Sequence, residues 1–441
     1  PGDVAVGGCA CDPRIVRPGD LLAAMPEDPQ DASNLIAEAI RRGCAAVLTD
    51  QPAVRDLVNA NAVPLAVVPN VRESFARACQ ALAGNPSQTL KTIGVVGRNG
   101  KTSASCLIAG MLHAADCQTG IVGSLGYLDG RTLQKASEAT PSPERLAPLM
   151  ARMIRNGCSH AVVELSSRAV DQSRLAGVEF DAVCITNSTR ARHQATIKLL
   201  GQLRNGSGFA VINADDPGSA GYIRELTCPV LTVGLRSAAE VTATPIDQCL
   251  TTQTFLITAG SQSVAVETPM IGRQHIYHFL ATAAVGLGLG IDLTTSVRGM
   301  EYAGQVPGEL ERIECGQPFG VFVDGARTAG SLARALKTLR DVSVGRLICV
   351  FSRCSQRESD ERHLIGRTVE QHADVALATS DEPRDRKAAI RRAIGMAASG
   401  DCVLIAGRGR RTQSPGKRPL DDREVAKDCL YSGQWAVGSR Q

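Results

Sequence analysis

The chain has 441 residues, of which 44% are hydrophobic, and it carries 48 Lys and Arg against 44 Asp and Glu. This length predicts two or three domains of ordinary size, and the apolar content excludes a largely disordered protein. A formal charge of +4 and an aromatic content of 3% provide neither the basic surface nor the stacking platforms that nucleic-acid binding needs.

The 15 cysteines are mostly isolated along the chain, a pattern typical of a reducing compartment rather than of a disulfide framework. Cys9 and Cys11 form a C-x-C pair, but no second pair lies nearby to complete a zinc site. The longest apolar stretch, residues 281–291, contains three glycines and is too short to span a bilayer. We expect a cytoplasmic protein without membrane or nucleic-acid partners, acting as a monomer.

Residues 1–88 have the pattern of a small α/β domain. Apolar spacing predicts two helices, over residues 34–43 and 71–82, and two strands, over residues 45–48 and 62–69. The turn signal Gly84-Asn85-Pro86 closes this domain.

Residues 89–306 open with a predicted strand over 91–96, a glycine-rich turn and a helix from Thr102 to about residue 115. Further predicted strands alternate with helical segments, as in a parallel sheet with crossover helices; they lie at residues 161–165, 182–186, 209–213 and 230–233. Residues 242–267 alternate apolar and polar side chains, which predicts an antiparallel extension.

Residues 307–441 repeat the alternation, with predicted strands at residues 320–323, 347–351, 375–378 and 403–406. The predicted fold class is therefore α/β, with three α/β domains in series. The central domain has a P-loop-type parallel sheet, and the C-terminal domain is doubly wound and Rossmann-like.

The strongest chemical signal is the segment 94–102, G-V-V-G-R-N-G-K-T, between a predicted strand and a predicted helix. Gly97 and Gly100 allow backbone N–H groups to turn inward, and the helix N-terminus attracts anions. Lys101 is expected to contact the β- and γ-phosphates of a nucleotide, and Thr102 to ligate Mg²⁺. Val95 replaces the first glycine of the strict motif, so a purely structural glycine turn is the alternative.

A nucleotide loop needs an acidic residue at a neighbouring strand end to hold the metal ion. Glu164 has this position after the apolar run 161–163, and Asp324 is a second candidate after residues 321–323. The alternative for each is a solvated acid or a helix cap. Asp215 and Asp216 follow a strand too, but their surroundings favour a turn.

Read in order, these and further motifs resemble the Mur ligases, in particular the members that extend UDP-N-acetylmuramoyl-L-alanyl-D-glutamate. Residues 12–21, D-P-R-I-V-R-P-G-D-L, are similar to the family's uridine-domain signature, and residues 94–102 are similar to its nucleotide loop. Three further segments match in the family's order: residues 164–174 with E-L-S-S-R through Gln172 and Arg174, residues 212–216 with I-N-A-D-D, and residues 421–424 with D-D-R-E.

The resemblance implies a ligase that phosphorylates a substrate carboxylate with ATP and forms an amide when an amine attacks the acyl phosphate. The first domain would hold the UDP-MurNAc-dipeptide, the second ATP and Mg²⁺, and the third the amino acid. The implied residues for the UDP-linked substrate are Arg14, Thr140, Ser167, Gln172 and Arg174. Those for ATP are Gly97, Asn99, Gly100, Lys101, Thr102, Ser103, Asp324 and Arg357, and those for the amino acid are Asp381, Arg384 and Gly407.

The resemblance also implies Lys101, Lys198 and Glu164 as catalytic residues. Lys198 falls where the family carries a carbamylated lysine that holds a second Mg²⁺, so Thr102, Glu164 and Lys198 are the expected metal-binding residues. The alternative for Lys198 is a solvent-facing helical lysine.

Several family positions differ in this chain. Arg168 replaces a histidine, the segment after Asn187 lacks the metal-binding histidine, with His193 one position further on, and His275 and His278 replace asparagines of the adenine site. Arg411 stands where the family has a glutamate, which argues against diaminopimelate as the acceptor. Two hypotheses follow: an active ATP-dependent ligase, or a catalytically degenerate paralogue that binds nucleotide or UDP-sugar peptide without efficient ligation.

Overall fold

The computed structural model describes residues 4–25, 31–188, 193–352, 359–380, 382–409 and 420–432. The chain divides into two compact units, Pro1–Thr242 with Tyr277–Met300, and Ala243–Ile276 with Glu301–Gln441. The three-domain boundaries expected from the sequence stay predictions. Among the described residues, none of the helices combines the length and the apolar character that a membrane crossing requires.

The first unit begins with a four-stranded, all-parallel sheet in chain order. Its strands are β1 (Gly8–Ala10), β2 (Asp20–Ala23), β3 (Ala46–Thr49) and β4 (Leu65–Val67). Its helices are α1 (Ala32–Arg41), α2 (Arg55–Ala60) and α3 (Val71–Leu82). Helix α3 has the predicted bounds, because Asn70 caps it by accepting a hydrogen bond from the Glu73 N–H at 3.1 Å. Strands β1 and β2 were not predicted.

A larger sheet follows in the same unit, with the order β12-β11-β10-β5-β9-β6-β7-β8. Strands β5, β6, β9, β10, β11 and β12 are parallel to one another, and β7 and β8 add antiparallel pairs at the β6 edge. The strands are β5 (Lys91–Val96), β6 (Thr119–Gly123), β7 (Gly126–Leu128), β8 (Leu133–Gln134), β9 (His160–Leu165), β10 (Ala182–Ile185), β11 (Phe209–Asn213) and β12 (Val230–Gly234).

Helices accompany the parallel strands of this larger sheet, as expected of crossover connections. They are α4 (Lys101–Ala114), α5 (Pro143–Arg155), α6 (Ser167–Asp171), α7 (His193–Leu200), α8 (Ser219–Glu225), α9 (Arg273–Gly288) and α10 (Leu293–Ala303). The predicted P-loop-type parallel sheet is thus present.

The extension predicted over residues 242–267 is present as three neighbouring strands and differs from the prediction at its start. Strand β13 (Val241–Gln248) begins parallel to β12, with Val233 opposite Val241, because the chain returns to the edge of the parallel sheet before it turns. Strand β13 is then the sheet neighbour of β14 (Gln253–Ala259), which pairs antiparallel with β15 (Gln262–Thr268) as expected.

The second unit contains a five-stranded sheet with the order β16-β17-β20-β18-β19, in which only β16 is antiparallel. The strands are β16 (Glu311–Arg312), β17 (Gly320–Asp324), β18 (Leu347–Ser352), β19 (Val375–Thr379) and β20 (Cys402–Ala406). Helices α11 (Ala329–Arg340) and α12 (Ser359–His372) pack into one core, and α13 (Pro383–Met396) and α14 (Asp422–Ser432) into the other. Both faces are covered, which confirms the doubly wound prediction and the α/β class.

Candidate functional site

Strand register places the predicted phosphate loop beside two other strand ends. Val96 at the end of β5 pairs with Leu165 of β9 on one side and with Ile185 of β10 on the other. The carboxyl ends of parallel strands lie at the same edge of a sheet, and that is where ligands bind in open α/β sheets. Residues 97–102, the end of β9 and residues 186–187 therefore meet at one edge.

The loop itself has the conformation that its glycines predict. Gly97 has φ +148° and Gly100 has φ +80°, both in the region that favours glycine. Close packing adds to this requirement, because a Cβ on Gly97 would lie 2.1 Å from Thr186 Oγ1 and a Cβ on Gly100 2.1 Å from His278 Nε2. Lys101 Nζ donates a hydrogen bond to the Gly97 carbonyl oxygen at 2.8 Å, so the lysine lies across the loop.

Three oxygen-bearing side chains meet where α4 begins. Ser124 Oγ donates to Glu164 Oε2 at 2.6 Å and lies 3.1 Å from Thr102 Oγ1, and Thr102 Oγ1 lies 3.4 Å from the same carboxylate oxygen. Glu164 is only 2% exposed, and within the described part of the chain it forms no ion pair. A buried carboxylate beside two hydroxyls offers the hard oxygen donors that Mg²⁺ prefers. Thr102 and Glu164, both expected from the sequence to bind metal, therefore lie together, and their metal role stays a prediction.

A second polar cluster continues from the same strand end. Thr140 Oγ1 donates to the Glu164 carbonyl oxygen at 2.6 Å and accepts from the Ser166 N–H at 2.8 Å. Arg174 donates to the Thr140 carbonyl oxygen at 3.0 Å and to Gln172 Oε1 at 2.9 Å. Three of the residues expected to bind the UDP-linked substrate, Thr140, Gln172 and Arg174, are thus in one hydrogen-bonded group.

A small cleft lies between the nucleotide loop and the start of α6. Its wall includes Gly97 and Arg98 from the loop, Ser167 from α6, and Asn187 after β10. Gly97 was predicted from the ATP motif and Ser167 from the UDP-substrate motif. One residue of each predicted set therefore lines this cleft.

Two other predicted residues of this unit have different surroundings. Lys198 Nζ lies 2.9 Å from Glu73 Oε2, on α3, and 3.5 Å from Ser173 Oγ. Arg14 is exposed and pairs with Asp12 at 2.8 Å. The metal role of Lys198 and the substrate role of Arg14 stay predictions.

Predicted residues of the second unit lie at the carboxyl ends of its strands. The Asp324 carboxylate accepts hydrogen bonds from the N–H groups of Leu310 and Ala326, both at 2.7 Å, and burial raises the pKa of Asp324 to about 6. Gly407 has φ +111°, its N–H donates to the Asp324 carbonyl oxygen, and its carbonyl oxygen accepts from Arg327. Arg384 is exposed on α13, whereas Arg357 and Asp381 lie outside the described residues.

The altered family positions are only partly described. Arg168 is exposed, and His278 is buried against Gly100, where burial lowers the pKa of its imidazole to about 4. Arg411 and the side chain of His193 lie outside the described residues. The 215–216 pair is a turn as predicted, because Asp215 accepts hydrogen bonds from the N–H groups of residues 235–237.

Sequence reasoning missed three residues of this site. Ser124 follows β6 and belongs to no motif, so only the pairing of β6 with β9 brings it to Glu164. Thr186 and Asn187 were noted as part of a family segment but received no role, although both bind the loop backbone. Ser103, predicted to bind ATP, is 1% exposed on the first turn of α4.

Comparisons with known proteins agree with this geometry. Two family models match, the Mur ligase middle domain at residues 95–286 and the glutamate ligase domain of Mur ligases at residues 310–409. A UDP-N-acetylmuramoyl-L-alanyl-D-glutamate--2,6-diaminopimelate ligase of Geobacillus kaustophilus is 32% identical over 95% of this chain and 94% of its own length.

Solved structures show the same fold. A structure of a UDP-N-acetylmuramoyl-L-alanyl-D-glutamate--2,6-diaminopimelate ligase matches with a TM-score of 0.74 and 24% identity, over 97% of this chain and 95% of the other. A MurF ligase of Thermotoga maritima, solved in complex with ADP, matches with a TM-score of 0.64 and 15% identity, over 98% of each chain.

Proposed function

The chain belongs to the Mur ligase family, and on that premise we propose that it is the ATP-dependent ligase that adds an amino acid to UDP-N-acetylmuramoyl-L-alanyl-D-glutamate in peptidoglycan precursor synthesis. One observation carries the proposal: Gly97 of the nucleotide loop and Ser167 of the substrate motif line the same cleft. Direct transfer of a phosphoryl group from ATP to a carboxylate requires that both substrates share one space.

The proposed reaction has two steps. The substrate carboxylate attacks the γ-phosphorus of ATP, which releases ADP and leaves an acyl phosphate. The amine of the amino acid then attacks the acyl carbon, forms the amide and releases phosphate. The chain's part is to align the reactants and to offset the charge of the phosphates rather than to supply a nucleophile.

Residues of the site support this division of labour. Lys101 would exchange its hydrogen bond to the Gly97 carbonyl oxygen for contacts with the β- and γ-phosphates of ATP. The N-terminus of α4 would present N–H donors to the same phosphates. Thr102, Ser124 and Glu164 would hold Mg²⁺, whose charge stabilises that of the transferred phosphoryl group. Arg174 is held by Thr140 and Gln172 and is ion-paired with Glu138 at 2.7 Å; it is a basic group near this site that could exchange this partner for the anionic UDP-linked substrate.

For the acceptor, we propose an amino acid that the second unit binds, without specifying which one. The relative from Geobacillus kaustophilus is named for 2,6-diaminopimelate, and Arg384 at the start of α13 offers a planar cation for a carboxylate. Arg411 argues against a second amino group. We also propose that the chain works in the cytoplasm as a monomer; its 14 described cysteines, all free thiols, support a reducing compartment.

The test is phosphate release from ATP with UDP-N-acetylmuramoyl-L-alanyl-D-glutamate and a panel of amino acids that includes 2,6-diaminopimelate and lysine. Release that requires both substrates and disappears in Lys101→Ala supports the proposal and identifies the acceptor. Lys91→Ala is the matched control, because Lys91 is an exposed lysine at the opposite end of β5. Nucleotide binding without release under any combination would support the non-ligating alternative, which the named relatives do not favour.

A further inference from the structure

Asn187 lies directly after β10 and binds the backbone of the phosphate loop with both ends of its side-chain amide. Its Oδ1 accepts hydrogen bonds from the N–H groups of Arg98 at 2.8 Å and Asn99 at 3.3 Å. Its Nδ2 donates to the Asn99 carbonyl oxygen at 2.9 Å. Thr186 reinforces the contact, because its Oγ1 donates to the same carbonyl oxygen at 2.7 Å.

This pattern fixes the orientation of the amide group. If the oxygen and nitrogen of Asn187 exchanged places, the NH₂ group would face the two N–H donors and the oxygen would face a carbonyl oxygen. The main chain is fitted as closely, because a Cβ on Gly97 would lie 3.2 Å from both the backbone N and O of Asn187. The pairing of β10 with β5 therefore sets the position of the loop through these two residues.

The hydrogen bonds also divide the donors of the loop into two groups. The N–H groups of Arg98 and Asn99 are engaged by Asn187, and the Ala104 N–H is engaged by the Gly100 carbonyl oxygen within α4. The donors between them, at residues 100–103, lie at the helix N-terminus, where the helix dipole favours anions. Lys101 Nζ is next to them.

We propose that Asn187 is a positioning residue for the nucleotide: it holds residues 98–99 so that the phosphate oxygens are directed onto the N-terminus of α4 and Lys101. The inference rests on the proposed function, because it presupposes ATP in this loop. It extends that function because it assigns a role to Asn187, whose effect on ATP binding is transmitted through the backbone of the loop.

Calorimetric titration of the full chain with ATP and Mg²⁺ tests the role. Asn187→Ala removes three hydrogen bonds to the loop backbone and one to Thr186. Each contributes a modest net free energy, so we expect the dissociation constant for ATP to rise roughly 10- to 100-fold. We expect the affinity for UDP-N-acetylmuramoyl-L-alanyl-D-glutamate to change little, and the KM for ATP to rise more than kcat falls.

A matched pair at Thr186 supports the test should Asn187→Ala fold poorly. Thr186→Val keeps the shape and removes the hydroxyl, and we expect it to weaken ATP binding by about 3- to 10-fold. Thr186→Ser retains the hydroxyl and is expected to restore binding. Tyr222→Phe is the control, since it deletes the hydrogen bond between Tyr222 and Ser188 without touching the loop.

Two results would contradict the inference. If wild-type protein binds ATP while Asn187→Ala and Thr186→Val both bind it within about twofold of wild type, the positioning role is refuted and the proposed function stands. If the wild-type protein does not bind ATP, the proposed function fails and the inference with it.

Discussion

The second unit contains an ion pair whose removal should be among the most destabilising changes in the chain. Arg386 of α13 and Asp422 of α14 contact each other at 2.8 Å, and both side chains are 0% exposed. The guanidinium donates four hydrogen bonds, two to the Asp422 carboxylate, one to the Ala406 carbonyl oxygen and one to Thr379 Oγ1. Ala406 and Thr379 end β20 and β19, so the pair fastens two strand ends to two helices.

The substitution Asp422→Asn keeps the size of the side chain but leaves the Arg386 cation buried without a counter-charge. Breaking a buried pair in this way costs about 3–5 kcal/mol, a large part of the roughly 5–15 kcal/mol that stabilises a typical domain. The double substitution Arg386→Met with Asp422→Leu removes both charges, so we expect it to cost much less than either single change.

Hydrogen exchange measured by mass spectrometry is the suitable assay, because it reports the opening free energy of this unit separately from the first. Peptides that cover β18 and β20 should lose protection in Asp422→Asn. The control is Asp421→Asn, which breaks the neighbouring pair between Asp421 and Arg423, whose side chains are 13% and 23% exposed; a partly solvated pair contributes about 1 kcal/mol or less. If both variants lose the same small protection, the buried pair stabilises this unit no more than a partly solvated one does, and the reasoning from its burial is refuted.

Three further predictions address the first unit. Glu164→Gln keeps the hydrogen bond to Ser124 but removes the charge that Mg²⁺ needs, so ligation should fall by about 100-fold or more and partly recover at high Mg²⁺; a Mg²⁺ titration of phosphate release checks this, and unchanged activity would exclude Glu164 as a ligand. Lys198→Arg preserves a cation for Glu73 but cannot carry a carbamate, so phosphate release should be lost in Lys198→Arg and retained in Glu73→Gln. If Lys198→Arg is active, Lys198 has no carbamate role and serves only in the ion pair with Glu73. Burial lowers the pKa of His278 from about 6.5 to about 4. Between these pH values the imidazole of His278 is therefore protonated in the unfolded chain and neutral in the folded chain. Stability should therefore fall by about 3 kcal/mol as the pH drops through that window, and the difference between His278→Asn and wild type in urea unfolding at pH 7 and pH 4.5 should show it.

Local signals predicted much of the fold. Strands β5 and β11 have the predicted bounds, since each is a buried run between turn signals. The start of α4 follows from the glycines and Lys101. Strands β1 and β2 are only three and four residues long, which is too short for a detectable hydrophobic periodicity. Their conformation depends on pairing with each other and with β3.

The candidate site was predicted where a motif contains its chemistry and missed where the tertiary fold supplies it. Thr102 and Glu164 belong to recognisable segments and meet as expected. Ser124 reaches Glu164 because β6 pairs with β9, and Glu73 reaches Lys198 across 125 positions of sequence. Contacts of this kind depend on strand order and helix packing, which the composition of a single segment does not specify.

The two glycines of the phosphate loop restrict the substitutions that this protein can tolerate. Gly97 and Gly100 each combine a positive φ with a neighbour 2.1 Å from the position of a Cβ, so a larger residue at either site is opposed twice, by backbone strain and by overlap. The overlaps come from Thr186, directly after β10, and from His278, on α9. A single compensating change elsewhere therefore relieves at most one of the two positions, and a library of variants selected for nucleotide binding should retain both glycines while Arg98, exposed between them, diversifies.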